Sequence, residues 1–197
     1  MGLGGSLRAG SSTEKLVRAV LAELASRGAE TRLFTGQALM LPPYDPSAAA
    51  TPNAAALLAA IRRADAVVLG SPAYHGGVSG LVKNAIDYLE ETRDDPRPYL
   101  DGIPVAPVVT AQGWQAAMTT LRSLREIVHA LRGWPTPLGL VVNMTQAHIF
   151  AGEKIADDEV QSRITALAEQ VLSHERTRLA DKPSIHPYRY QRLHRDP

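Results

Sequence analysis

Apolar positions in this chain follow two rhythms. Short continuous runs, Ala66-Val-Val-Leu69, Ile103 to Val109 and Leu138 to Val142, have the length and β-branched content of buried strands. Between them, apolar residues recur at three- and four-residue spacing: Leu16, Val17, Val20, Leu21 and Leu24; then Leu57, Leu58 and Ile61; then Val78, Leu81, Val82, Ala85, Ile86 and Leu89. The same spacing returns at Met118, Leu121, Leu124, Val128 and Leu131, and at Val160, Ile164, Leu167, Val171 and Leu172. Each set predicts the inner face of one helix.

Local signals set the ends. Thr51 is placed to cap a helix with Pro52 in its first turn, Ser26-Arg-Gly28 stops the first helix, and Gly133 with Pro135 stops the one predicted over Gln115 to Leu131. Asp157 and Asp158 favour the last helix start. A second strand is predicted over Glu30 to Phe34 and a third over Asp65 to Gly70, leading into a Gly/Ser/Pro loop, Gly70 to Gly80, and a helix from Leu81 to Glu91. The first strand is compressed into Met1 to Gly5, so it is either very short or continues upstream of Met1. Pro104 and Pro107 lie in the fourth strand, and because proline donates nothing to a ladder, a bulge is expected near Pro107. Leu39 to Pro46 and Thr92 to Tyr99 read as irregular connections, and Asn143 to Asp158 as a loop or short insertion.

Strands alternating with helices define an α/β chain with a parallel, doubly wound sheet. The predicted domain takes in residues 1–180, with residues 181–197 a tail that is extended or packed on a partner subunit.

Composition narrows the function. A formal net charge of +1 over 197 residues argues against a general nucleic-acid binder and against the acidic surface of a pure electron carrier. With no cysteine there is no disulfide, thiolate nucleophile or Cys-ligated cluster, so redox chemistry has to come from a bound cofactor. No apolar run approaches the roughly 18 residues that span a bilayer, Met1-Gly-Leu-Gly-Gly5 is no signal peptide, and a cytoplasmic protein off the membrane is expected. The histidines at 129, 148, 174, 186 and 194 are scattered, and no metal is predicted.

Candidate chemistry sits in three loops at the carboxyl ends of strands one, three and four. The first combines hydroxyls at Ser6, Ser11, Ser12 and Thr13 with the guanidinium of Arg8 and a following helix N-terminus, which suits a phosphate. The bland alternative is a capped helix start behind a flexible Gly/Ser leader. The second, Ser71 to Gly77, and the third, Thr110-Ala-Gln-Gly-Trp114, offer backbone amides with Tyr74, His75, Gln112 and Trp114, which suit a flat heterocycle with polar edges. Neither a G-x-G-x-x-G fingerprint nor a P-loop is present. In a flavodoxin-like strand order the three loops meet around FMN at the switch point.

Gly5-Ser-Leu-Arg8 with Ser11 and Thr13, Ser71-Pro-Ala-Tyr-His-Gly76, and Ser79-Gly-Leu-Val-Lys-Asn-Ala-Ile-Asp87 together resemble the NAD(P)H-dependent FMN reductase family of flavodoxin-like proteins. The resemblance extends over about Gly4 to Asn143. It implies a three-layer sandwich with a five-stranded parallel sheet in the order 2-1-3-4-5. Ser6, Arg8, Ser11, Ser12 and Thr13 would hold the FMN phosphate. Pro72, Ala73, Tyr74, His75 and Gly76 would line the ring mainly through backbone, and Thr110, Gln112 and Gly113 would form the third wall. It also implies a homodimer or homotetramer. Ala73 stands where the family often has an acidic residue.

The expected activity is hydride transfer from NADPH or NADH to bound FMN, then electron transfer to a small acceptor such as free flavin or a quinone. The cofactor carries that chemistry, so no catalytic side chain is required. The alternatives are an FMN-dependent dehydrogenase of a biosynthetic intermediate and a flavodoxin-type carrier that does not oxidise NAD(P)H.

Overall fold

The structure, a computed structural model, describes residues 1–146 and 148–180. The predicted tail, 181–197, lies outside the described residues. Strand β1 (Gly2–Gly4) lies between β2 (Leu33–Phe34) and β3 (Val67–Tyr74), and β3 pairs on its other side with β5 (Pro104–Ala111), all parallel. Beyond β5 the edge is formed by two short parallel pieces, β6 (Trp134–Pro135) and β7 (Leu140–Asn143). With a small antiparallel β4 (Gly77–Val78) against β3, the sheet has seven strands where five were expected. The path β2-β1-β3-β5, closed by β6 and β7, nevertheless keeps the 2-1-3-4-5 order.

The split edge has a cause in β5. The carbonyls of Ile103, Val105 and Ala111 accept from Trp134, Thr136 and Met144, so odd-numbered residues of β5 face the edge strand. Pro107 therefore turns its missing N–H toward that neighbour, and there the neighbour breaks between Pro135 and Leu140. The expected bulge does not form. Val67 to Pro72 and Val105 to Thr110 pair without interruption.

Alternation along the strands divides the core. Val67, Leu69, Val105, Val109 and Val141 face a cluster with Leu57 and Ile61 of α2 (Pro52–Arg63), Val82 and Ile86 of α3 (Gly80–Asp87), and Leu121, Leu124 and Val128 of α4 (Trp114–Ala130). Val68, Ala106, Val108, Leu140 and Val142 face the other way, onto Leu16, Val17 and Val20 of α1 (Ser12–Ser26) and Ile164, Leu167 and Val171 of α5 (Asp158–Ala180). The result is helices on both faces of a parallel sheet. Full burial of each such aliphatic side chain is worth about 1.5 to 3 kcal/mol, so the two stripes of α1 and α4 hold the layers together.

Two helix details differ from expectation. Met118 is 54% exposed, because Ala117, one residue earlier, takes the core position beside Leu121 and Leu124. The helix predicted to Glu91 ends as α-helix at Asp87 and tightens into a 3-10 turn over Tyr88–Thr92, where the Thr92 hydroxyl donates to the Leu89 carbonyl. Residues 143–158 contain a hairpin of β8 (Phe150–Ala151) and β9 (Lys154–Ile155), packed beside α1. Among the described residues no helix is long and apolar enough to cross a membrane.

Candidate functional site

The carboxyl ends of β1, β3 and β5 lie side by side, with Gly4 opposite Gly70 and Pro72 opposite Thr110. The loop leaving β1 crosses the start of α3 at very short range. A Cβ on Gly5 would stand 2.2 Å from Val82 Cγ2 and 2.9 Å from the Gly70 carbonyl oxygen, so only glycine fits. A Cβ on Gly70 would in turn meet Val17 Cγ2 at 2.4 Å, which is how closely α1 lies on β3.

Two buried serines rivet these pieces. Ser79 Oγ donates to the Gly5 carbonyl at 3.1 Å and caps α3 by accepting the Val82 amide at 3.3 Å. The Ser79 amide donates to Ser71 Oγ at 3.0 Å, and Ser71 Oγ donates to the Pro72 carbonyl at 2.8 Å. Sequence reasoning quoted both serines in its motif but gave them no role. The spacing of Ser79 just before a helical stripe was the available signal.

In the first loop, Ser6 Oγ accepts the Arg8 amide at 3.2 Å, and residues 7–10 are exposed. The Arg8 guanidinium makes no ion pair or hydrogen bond among the described residues. Ser11 is buried and its hydroxyl caps α1 by accepting the Glu14 amide at 3.3 Å, while half-buried Ser12 is the first helical residue. Its amide and that of Thr13 have no acceptor within the helix. Thr13 is buried, with its hydroxyl 2.6 Å from that of Thr110, so a first-loop residue and a third-loop residue brace each other. Glu14 accepts the Gly10 amide at 3.2 Å and is paired with Arg18 at 2.7 Å, so its carboxylate stands neutralised beside the loop.

The second loop is in fact an extension of the sheet. β3 runs on through Tyr74, and Ala73 pairs with Val78 and Tyr74 with Gly77 around His75 and Gly76. Both turn residues have positive φ, 51° and 78°, as a two-residue type I′ hairpin requires. Pro72 is buried, Ala73 and Gly76 half-buried, Tyr74 and His75 exposed. A Cβ at Gly76 would come 3.4 Å from Thr119 Oγ1, which places the hairpin tip on α4. Gln112 is exposed, and Gly113 starts α4 with no side-chain cap, leaving that helix N-terminus open. Tyr74, Trp114 and Met118, 58%, 49% and 54% exposed, give this end of the molecule large apolar side chains on its surface.

Other predicted features are structural. Asn84 donates to the carbonyls of Leu41 and Pro42 and accepts the Tyr44 amide. Lys83 pairs with Asp87 on its own helix. Two concavities, of about 340 and 410 Å³, lie on a different flank against Tyr44 and Glu90, and neither contains a residue of the three loops. The candidate site is thus the open surface at the carboxyl ends of the central strands.

A flavodoxin-like α/β sandwich with a hydroxyl-rich loop and a β-hairpin at the carboxyl ends of its central strands is the class that this fold and site define. Residues 1–148 match the family described as NADPH-dependent FMN reductase, and the chain belongs to that family. FMN and NADPH are its cofactor and reductant. Among curated relatives, the FMN-dependent NADPH-azoreductase of Staphylococcus saprophyticus is 33% identical over 114 residues, 57% of this chain and 57% of that protein. The protein of the same name from Staphylococcus aureus is 30% identical over 117 residues, 56% of each. The match thus spans little more than half the length of these relatives. Among solved structures, the flavoenzyme NAD(P)H:(acceptor) oxidoreductase FerB from Paracoccus denitrificans superposes with a TM-score of 0.72 at 26% identity, covering 88% of this chain and 96% of that one.

Proposed function

We propose that this chain is an FMN-dependent oxidoreductase that takes hydride from NADPH or NADH and passes electrons to a small acceptor: free flavin, a quinone, or an azo compound of the kind its relatives' name specifies. The observation that carries this reading is the exposed Arg8, unpartnered among the described residues, in the loop that leads into the open first-turn amides of α1, at the same end of the sheet as the Ala73–Val78 hairpin.

The donor set fits a phosphate monoester. Arg8 supplies a fixed cation, Ser6 and Ser12 supply hydroxyls, and the Ser12 and Thr13 amides add the positive end of the helix. Thr13, Thr110, Ser71 and Ser79 act behind them, holding the loops in register. The backbone from Pro72 to Gly76, with Gln112 and Gly113 opposite, presents flat faces and amides to a ring system. Held by these residues, FMN would supply the hydride-accepting, two-electron redox chemistry that no side chain of this protein provides. The protein's part is to hold the phosphate, orient the ring and exclude water, with no side chain acting as acid or base.

A homodimer or homotetramer is part of the proposal. The exposed Tyr74, Trp114 and Met118 supply apolar surface that a second subunit would cover. A cytoplasmic setting follows from the need for a pool of reduced nicotinamide. Titration with FMN and riboflavin tests the site: FMN should bind more tightly by the contribution of its phosphate, and equal affinities would remove the phosphate cradle from the account.

A further inference from the structure

The β8–β9 hairpin has only two paired positions, Phe150 with Ile155 and Ala151 with Lys154, too little to hold its own shape in water. Its base is fixed by buried Ile149, whose carbonyl accepts the Ala156 amide, and by the half-buried Phe150 and Ile155. Its tip is held by one side chain of α1. Lys15 Nζ donates to the Gly152 carbonyl at 2.7 Å, pairs with Glu153 Oε1 at 3.0 Å, and stands 5.5 Å from the centre of the Phe150 ring. The Lys15 side chain is 18% exposed, whereas that of Glu153 is 72% exposed.

The tip also meets the first loop. A Cβ built on Gly10 would lie 3.9 Å from both Glu153 Oε1 and Lys15 Cε. A carboxylate therefore stands beside the loop that carries Arg8, and a phosphate dianion there would be repelled by it. The parallel with Glu14 is close: that carboxylate also abuts Gly10 and is neutralised by a cation of the same helix, Arg18. Each of the two carboxylates beside Gly10 is thus matched by a base of α1.

We propose that Lys15 is a positioning residue for the phosphate end of the flavin site: it fastens the hairpin tip against the first loop and cancels the charge of Glu153 there. The proposal rests on the FMN reading for its second half, while the fastening of the hairpin stands without it. Because Lys15 acts at the phosphate end, its removal should affect a phosphorylated flavin and spare one without phosphate.

Lys15→Met, Lys15→Arg and Lys15→Met/Glu153→Gln are compared with the parent chain by equilibrium titration with FMN and with riboflavin, and by hydrogen exchange of residues 149–156 in flavin-free protein. Lys15→Met should raise the FMN dissociation constant about tenfold, the scale of one charge-assisted contact, and leave that of riboflavin unchanged. Lys15→Arg should restore much of the FMN affinity, the double variant should recover part of it, and exchange in the hairpin should speed up in Lys15→Met. Unchanged FMN affinity in Lys15→Met, or equal weakening for riboflavin, would overturn the phosphate role, and unchanged hairpin exchange would overturn the fastening. A parent chain that binds neither flavin would defeat the FMN reading itself, and faster hairpin exchange in Lys15→Met would still establish the anchor.

Discussion

The hydroxyls of Thr13 and Thr110 lie 2.6 Å apart in the buried layer between α1 and β5, joining loops that are 97 residues apart in sequence. This contact fixes the start of α1, just behind the first loop, against the strand that leads into the third loop. Replacing one partner strands the other. Thr13→Val should cost about 1 to 3 kcal/mol in urea unfolding, and Thr13→Val/Thr110→Val should lose clearly less than twice that, since removing both partners leaves no orphan.

Gly5 is the narrowest point of the site. With Val82 Cγ2 at 2.2 Å and a backbone oxygen at 2.9 Å from any added Cβ, Gly5→Ala should destabilise the protein by about 1 to 3 kcal/mol. Adding Val82→Ala should return only part of the melting temperature, because the Gly70 carbonyl cannot move aside as a side chain does.

Arg8 has no partner within the described chain, so its removal should leave stability unchanged and act on the ligand. Arg8→Ala should weaken FMN binding by about 1 to 3 kcal/mol, with little change for riboflavin. An FMN titration that superposes on that of the parent chain would place the phosphate elsewhere.

On the other flank, Tyr44 donates to Glu91 at 2.8 Å, and lost hydration together with that carboxylate pushes its hydroxyl up to about 12. A folded value above the unfolded one, about 10, means that stability from this bond is present below pH 10 and is lost as pH rises toward 12. Ultraviolet titration should show a late-ionising component that shrinks in Tyr44→Phe, the remainder including Tyr99, whose hydroxyl is also pushed up by lost hydration and its bond to Glu90.

The helices were legible because their stripes are long and their caps are chemical: Thr51 and Asp157 cap α2 and α5 as their positions suggest. Strand order followed from alternation and from the resemblance. The hairpin at Ala73 to Val78 was hidden because its turn, His75-Gly76, reads locally as part of a glycine-rich loop, and only the pairing partner reveals a strand. The split of the edge strand was equally invisible, since the proline responsible lies in the neighbouring strand. Lys15 escaped notice for a related reason. Its partners, Gly152 and Glu153, lie more than 130 residues downstream, and nothing local marks a lysine in a first turn as engaged. The first-loop hydroxyls look alike in sequence, and only the structure separates the buried Ser11 and Thr13, engaged within the protein, from the half-buried Ser6 and Ser12.

The central claim is that this end of the sheet holds FMN where a reduced nicotinamide can reach it. Anaerobic mixing of the FMN-loaded protein with NADPH, then with NADH, followed at the visible flavin absorbance, tests it most directly. Bleaching by at least one nicotinamide, with colour returning when an oxidant is added, is the result this account predicts. Full retention of the absorbance with both would contradict it and leave a flavin carrier in place of a reductase.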